Sequence, residues 1–248
     1  MNSTIIVAHR GLPALYPENT LEGIQQAVAA GARAVEFDVQ LTGDGVPVLF
    51  HDVSLERMCA ASGSILETSY AELKGLSAFF PGRFGDTYAG TPVPTLKEAM
   101  ELLLPYDRVT PCIELKTESI ECFGVEKCVN AIISAAAQVL ERSIILSFAD
   151  EALSFLHELG IRRTGWVLSH YDEQSLERAH ELEPEVLVCA IDKLNGEESL
   201  WPGPWDWMLY HSEDPAVILD CVERGARYVE TDNARVVAER LPGLFNDG

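Results

Sequence analysis

The chain is predicted to fold as a (β/α)8 barrel of the α/β class, a single unit over residues 1–248 with a small cap, residues 53–92, inserted after its second strand. Three observations predict this. Short β-rich runs alternate with longer helical patterns, which implies parallel strands. Eight such runs occur, the number that closes a barrel, and 248 residues is an ordinary length for one. The rhythm breaks at two places only, both rich in glycine, proline and aromatics. A doubly wound open sheet is the alternative arrangement of the same pattern.

The predicted strands run over residues 4–9, 34–39, 109–115, 143–147, 164–168, 186–190, 207–211 and 227–231. Helical spacing covers 19–30, 95–104, 123–140, 150–159, 172–182, 214–223 and 234–241. Asn19 with Glu22 three residues on reads as a helix N-cap with its capping-box partner. Gly31, Gly160 and Gly225 fall where helices should stop. The first break, 53–92, includes Leu76-Ser77-Ala78-Phe79-Phe80 and Phe84-Gly85-Asp86, too long for an ordinary connection and so read as the cap. The second, 192–206, holds Leu194-Asn195-Gly196 and Trp201-Pro202-Gly203-Pro204-Trp205, which argues against a full helix there.

The formal net charge of −21 disfavours nucleic acid and anionic membranes as partners. An anionic substrate would then need a local positive centre. No apolar run is long enough to span a bilayer, and Met1-Asn2-Ser3-Thr4 has no signal-peptide pattern, so a cytoplasmic protein is expected. The six cysteines contain no CxxC pair and read as reduced thiols, mostly buried.

Chemistry concentrates at strand ends. Glu36 and Asp38 lie two apart on one strand, so both carboxylates share a face. Either that face is solvated, or a hard divalent cation neutralises the pair. Glu114 and Lys116 share a face of the next barrel strand, as a surface ion pair or as part of the same site. His9 ends the first strand, followed by Arg10. Thr42-Gly43-Asp44-Gly45 signals a tight turn; a hairpin centred between Gly43 and Asp44 sets His51 opposite Glu36, and a bulge at Gly45 shifts that register by one. Either histidine alone reads as structural, whereas two converging on three carboxylates read as a site.

In order along the chain stand His9-Arg10-Gly11, Pro17-Glu18-Asn19-Thr20, Glu36-x-Asp38, Val48-Leu49-Phe50-His51-Asp52, Pro94-Thr95-Leu96, Glu114-Leu115-Lys116, Ser147-Phe148 and Thr231-Asp232. This ordered set resembles the glycerophosphodiester phosphodiesterase family, in its bacterial cytosolic type. The resemblance implies a barrel with a cap after its second strand, and hydrolysis of glycerophosphodiesters to glycerol 3-phosphate and an alcohol. It implies Mg²⁺ or Ca²⁺ on Glu36, Asp38 and Glu114, with His9 and His51 as the acid–base pair. Arg10, Lys116 and Tyr210 would then bind substrate, while Glu18, Asn19 and Asp52 support the site from behind; capping is the other role open to Asn19. Three carboxylates, one divalent ion, Arg10 and Lys116 sum to about +1, complementary to a phosphodiester monoanion. The family's Trp-Thr-Val-Asn at strand seven is replaced by Tyr210-His211-Ser212-Glu213. Two other functions share this pattern: a lipid-directed barrel phosphodiesterase of phospholipase D-like or cyclising phospholipase C-like type, and a non-catalytic binding barrel.

Overall fold

The computed structural model describes residues 4–194 and 199–244. The barrel strands are β1 (Ile5–Ala8), β2 (Ala34–Leu41), β4 (Thr110–Leu115), β5 (Ile144–Ser147), β6 (Thr164–Val167), β7 (Val186–Ala190), β8 (Asp206–Tyr210) and β9 (Tyr228–Thr231). All pair in parallel in the order β1-β9-β8-β7-β6-β5-β4-β2, and β1 pairs with β2 to close the cylinder. The sheet is therefore a closed barrel and not an open doubly wound one. β3 (Pro47–Leu49) lies antiparallel on β2.

Alternation along the strands builds two apolar layers. Inside the barrel sit Val7, Ala34, Cys112, Ile144, Leu146, Val186, Val188, Met208 and Tyr228. Their neighbours Val35, Phe37, Val39, Ile113 and Leu115 point outward against the helices. Those helices are α1 (Leu21–Ala29), α5 (Leu96–Leu103), α6 (Thr117–Phe123), α7 (Val125–Ala136), α8 (Asp150–Glu158), α9 (Glu173–Leu182), α10 (Pro215–Glu223) and α11 (Ala234–Arg240). Each buries an apolar stripe and exposes a polar face, the usual answer to one wet side and one dry side.

Several expectations shift by a residue or a turn. The N-cap of α1 is Thr20, whose side chain accepts from the Gly23 N–H; Asn19 stands one residue earlier at φ 57° with its side chain turned to Asp38. The helix expected over 123–140 is α7, which starts after Gly124 and ends at Ala136; a further helix, α6, precedes it over Thr117–Phe123, where none was expected. Gly31, Gly160 and Gly225 do follow helix ends at positive φ. In the second break, Ile191–Leu194 forms one 3₁₀ turn; Asn195 and Gly196 lie outside the described residues.

Between β3 and α5 the chain forms three short helices, α2 (Glu56–Cys59), α3 (Tyr70–Leu73) and α4 (Pro81–Phe84). They enclose their own apolar cluster, with Leu55, Met58, Ile65, Leu73, Ala78 and Val93 packed around Val48 and Phe50. All six cysteines are free, and all but Cys122 are buried. Among the described residues, no helix is long and apolar enough to cross a membrane.

Candidate active site

The inward alternation of β2 and β4 continues past their apolar residues into charge. After Ala34 come Glu36 and Asp38; after Cys112 come Glu114 and Lys116. In register, Asp38 lies beside Glu114. One carboxylate oxygen from each of Glu36, Asp38 and Glu114 falls within 4.8 Å of the others. Glu36 and Asp38 are 2% and 1% exposed, so the negative charge cannot be relieved by water. Burial, then the neighbouring Asp38, Glu230 and Glu114, push Glu36 well above its ordinary value. Burial also pushes Asp38 up, but Arg10 and Lys116 overcome it and hold this carboxylate well below the usual range. Glu36 Oε1 has no hydrogen-bond partner among the described residues. An orphaned oxygen on a carboxylate raised by like charges, beside two more carboxylates, is the donor set a hard divalent cation takes.

Basic groups flank the acids. The Arg10 backbone N–H donates to Glu36 Oε2 at 3.1 Å and its guanidinium donates to Glu18 Oε1 at 3.1 Å. Arg10 Nε lies 3.0 Å from Asp38 Oδ2 in an ion pair whose angle makes no hydrogen bond, so this N–H is also left without an acceptor. Arg10 takes φ 51°, and Gly11 follows at 88° because a Cβ there would lie 2.8 Å from the Gly23 carbonyl carbon. Lys116 Nζ donates to Glu114 Oε1 at 2.9 Å and stands 3.5 Å from Asp38 Oδ1. The Asn19 amide donates to Asp38 Oδ2 at 2.8 Å and its oxygen accepts the Asp38 N–H at 3.1 Å, so Asn19 locks this carboxylate from behind.

The two histidines arrive from opposite directions. His9 follows β1, with Nδ1 2.6 Å from Asp232 Oδ1 and Nε2 3.9 Å from Glu36 Oε2. Burial pulls its pKa down, but the bond to Asp232 and the nearby Glu230 outweigh this and hold it above the ordinary value. His51 comes from the β2–β3 hairpin. Gly45, at φ 86°, forms the bulge, and Val39 pairs with Leu49. That register puts Phe50 across from Asp38 and aligns His51 with Phe37, so the placement of His51 opposite Glu36 is corrected by one residue, the shift that a bulge at Gly45 implies. The chain then leaves the ladder, and Gln40 Nε2 donates to the His51 carbonyl at 3.2 Å. His51 Nδ1 sits 2.7 Å from Asp52 Oδ1.

His9, Arg10, His51, Glu114, Lys116, Phe148, Tyr210 and Glu230 line one cavity of about 200 Å³ at the C-terminal mouth of the barrel. Tyr210 also borders a neighbouring cavity of about 400 Å³, beside Asp192, His211 and Ser212. All the residues singled out by sequence thus gather at this mouth or directly behind it. Four to which sequence reasoning gave no role join them, although Asp232 and His211 stand in stretches it singled out. Asp232 orients His9. Glu230, 3% exposed, is pushed up to about 7 by burial, against the pull of His9. The alternation Tyr228-x-Glu230-x-Asp232 carried the same signal as Glu36-x-Asp38. His211 stacks on His9 with ring centroids 4.8 Å apart. Arg57 of α2 donates to both Glu18 and Asp52 at 2.6–2.9 Å. No local motif marks Arg57; only the fold reveals it.

The closed parallel barrel, with buried carboxylates, paired cations and two carboxylate-bound histidines at its strand ends, has the architecture of the (β/α)8 class, and the cluster lies at the end of the barrel where that class keeps its sites. Residues 9–200 match the Glycerophosphoryl diester phosphodiesterase family, and the chain belongs to it. It is 37% identical over 146 residues to a glycerophosphodiester phosphodiesterase of Caldanaerobacter subterraneus and 34% identical over 156 residues to one of Bacillus altitudinis. These matches take in 58% and 63% of this chain, and the chain spans 58% and 62% of those relatives' own length. Among solved structures, an Oleispira antarctica phosphodiesterase in complex with the product sn-glycerol-3-phosphate superposes with a TM-score of 0.81 at 26% identity, covering 97% of both chains. The Thermotoga maritima glycerophosphodiester phosphodiesterase, 24% identical, shares the fold at a TM-score of 0.72 over 96% of this chain and 98% of that one.

Proposed function

We propose that the chain hydrolyses glycerophosphodiesters to sn-glycerol 3-phosphate and an alcohol at the cavity shared by His9 and His51. The observation that carries this reading is the convergence of three carboxylates, two of them buried and one with an orphaned oxygen, beside a cavity lined by two histidines and two cations. The Oleispira structure supports it, since that fold holds sn-glycerol-3-phosphate.

Glu36, Asp38 and Glu114 would hold Mg²⁺ or Ca²⁺, which when bound neutralises the acids and polarises a phosphoryl oxygen. Arg10 and Lys116 bind the remaining phosphate charge. Tyr210, between the two cavities, orients the substrate and divides the glycerol end from the leaving alcohol. One imidazole accepts the proton of the attacking hydroxyl and the other returns a proton to the leaving oxygen. Glu18, Asn19 and Asp52 hold Arg10, Asp38 and His51 in place. Residues 53–92 act as the cap over this mouth. The acidic chain and its free thiols fit a cytoplasmic enzyme taking water-borne diesters.

The test is an assay for sn-glycerol 3-phosphate across glycerophosphodiesters with different head groups, before and after chelation. Turnover should vanish with EDTA and return with Mg²⁺ or Ca²⁺. Full activity after exhaustive chelation would remove the cation from the reading, and release of phosphorylated head group would misplace the scissile bond.

A further inference from the structure

His9, His211 and Asp232 form a second cluster, separate from the three carboxylates. Each offers one donor atom, and the three atoms lie within 4.8 Å of one another. The two imidazoles stack at an interplanar angle of 19°, and each turns a nitrogen to the same carboxylate. His9 Nδ1 is 2.6 Å from Asp232 Oδ1, and His211 Nε2 is 3.6 Å from Asp232 Oδ2. A tetrahedral ion with bonds of about 2.0–2.1 Å needs its donors roughly 3.4 Å apart. A cation would replace the Nδ1 proton that His9 shares with Asp232, so this 2.6 Å contact must open to that spacing, while His211, whose side chain is 45% exposed, turns out of its stack to aim Nε2 at the ion.

The donor chemistry differs from that of the acidic trio. Oxygen ligands suit Mg²⁺ and Ca²⁺, whereas two imidazoles and one carboxylate suit borderline ions such as Zn²⁺. We infer that His9, His211 and Asp232 constitute a second cation site, taking Zn²⁺ or a similar transition ion, whose occupation stops turnover by capturing His9. The inhibitory half rests on the acid–base role proposed for His9; the binding half does not.

The experiment titrates Zn²⁺ into the whole protein at saturating Mg²⁺, reading bound Zn²⁺ by equilibrium dialysis and turnover in parallel. Co²⁺ serves as an optical probe, through the visible absorption of four-coordinate nitrogen–oxygen sites. The wild type should bind one Zn²⁺ beyond the Mg²⁺ and lose activity over the same concentration range. His211→Ala and His211→Gln, at a half-exposed position that folding tolerates, should weaken binding and raise the half-inhibiting Zn²⁺ concentration by roughly tenfold or more. Unchanged dialysis and inhibition curves in both variants would overturn the site, as would inhibition relieved competitively by more Mg²⁺, which places Zn²⁺ on the carboxylate trio. Binding without inhibition would overturn the inhibitory half. A protein that hydrolyses no diester would sink the proposed function while leaving the dialysis result intact.

Discussion

Each histidine at the cavity has a carboxylate at Nδ1: Asp232 for His9, at 2.6 Å, and Asp52 for His51, at 2.7 Å. A carboxylate acceptor there selects the Nδ1–H tautomer and leaves Nε2 free to trade a proton. His9→Ala and His51→Ala should therefore each lower kcat by roughly 10²–10⁴-fold, the usual contribution of a general acid or base. Circular dichroism and thermal midpoint should stay near wild type, because neither ring belongs to the apolar clusters. Near-normal kcat in either variant would strike that residue from the mechanism. The ligand and histidine candidates were legible in sequence because each sits in a short motif at a strand end. Asp232's bond to His9 was not, since it joins residues 223 apart. Asn19 was half legible: its place before a helix was right, but the φ of 57° that turns it toward Asp38 hands the cap to Thr20.

The inserted segment reaches the charged groups of the site through Arg57, while Tyr88 and Arg83 donate to the Leu15 and Ala14 carbonyls of the neighbouring loop. Arg57 bridges Asp52, which holds His51, and Glu18, which holds Arg10; on its other side Phe80 lies 5.1 Å from the guanidinium. Burial raises the Glu18 and Asp52 carboxyls, but hydrogen bonding to Arg57 overcomes it and lowers both below their ordinary values of 4.5 and 3.8. A depressed carboxylate contributes stability above its unfolded pKa and loses it as pH falls through the folded one. The tie should thus be complete near neutral pH and fail progressively below about pH 4. Hydrogen exchange over residues 53–92 should quicken in that acid window in the wild type. Arg57→Ala should show the fast pattern already at neutral pH and cost about 1–3 kcal/mol of stability, as buried carboxylates lose their donors; Arg57→Lys should restore part of it. Equal protection in wild type and Arg57→Ala would mean that the inserted segment is held without Arg57. Sequence marked this insertion by composition and length, yet its three four-residue helices were invisible, because helices so short owe their existence to packing and not to periodicity. The hairpin shows the same limit: the turn was evident, but the bulge at Gly45 decided the register.

At the scale of the whole molecule the barrel was legible because eight strand patterns alternate with seven helical ones, so small boundary errors do not change the topology. Charge at this scale opposes the chemistry at the mouth. The chain carries −21, while Arg10 and Lys116 line the cavity and would supply the local positive charge that the proposed phosphodiester substrate needs. These two act at short range from partly desolvated positions and are screened little; the acidic surface acts at long range and is screened strongly. At roughly 0.01 M salt the Debye length is about 30 Å, so the negative field reaches well beyond the mouth and repels an anionic substrate. Near 0.15 M it shrinks to about 8 Å, and the approach is freed while the site keeps its grip. With the activating cation saturating throughout, kcat/KM for a diester of net charge −1 should rise several-fold, at most about 10-fold, across that range, with kcat nearly constant. A zwitterionic diester of zero net charge should respond far less, since only its dipole feels the field. Initial-rate measurements on both substrates at matched salt settle the matter. A kcat/KM that falls with salt for the anionic diester would show that attraction at the mouth already governs encounter, and that the acidic exterior has no bearing on how substrate arrives.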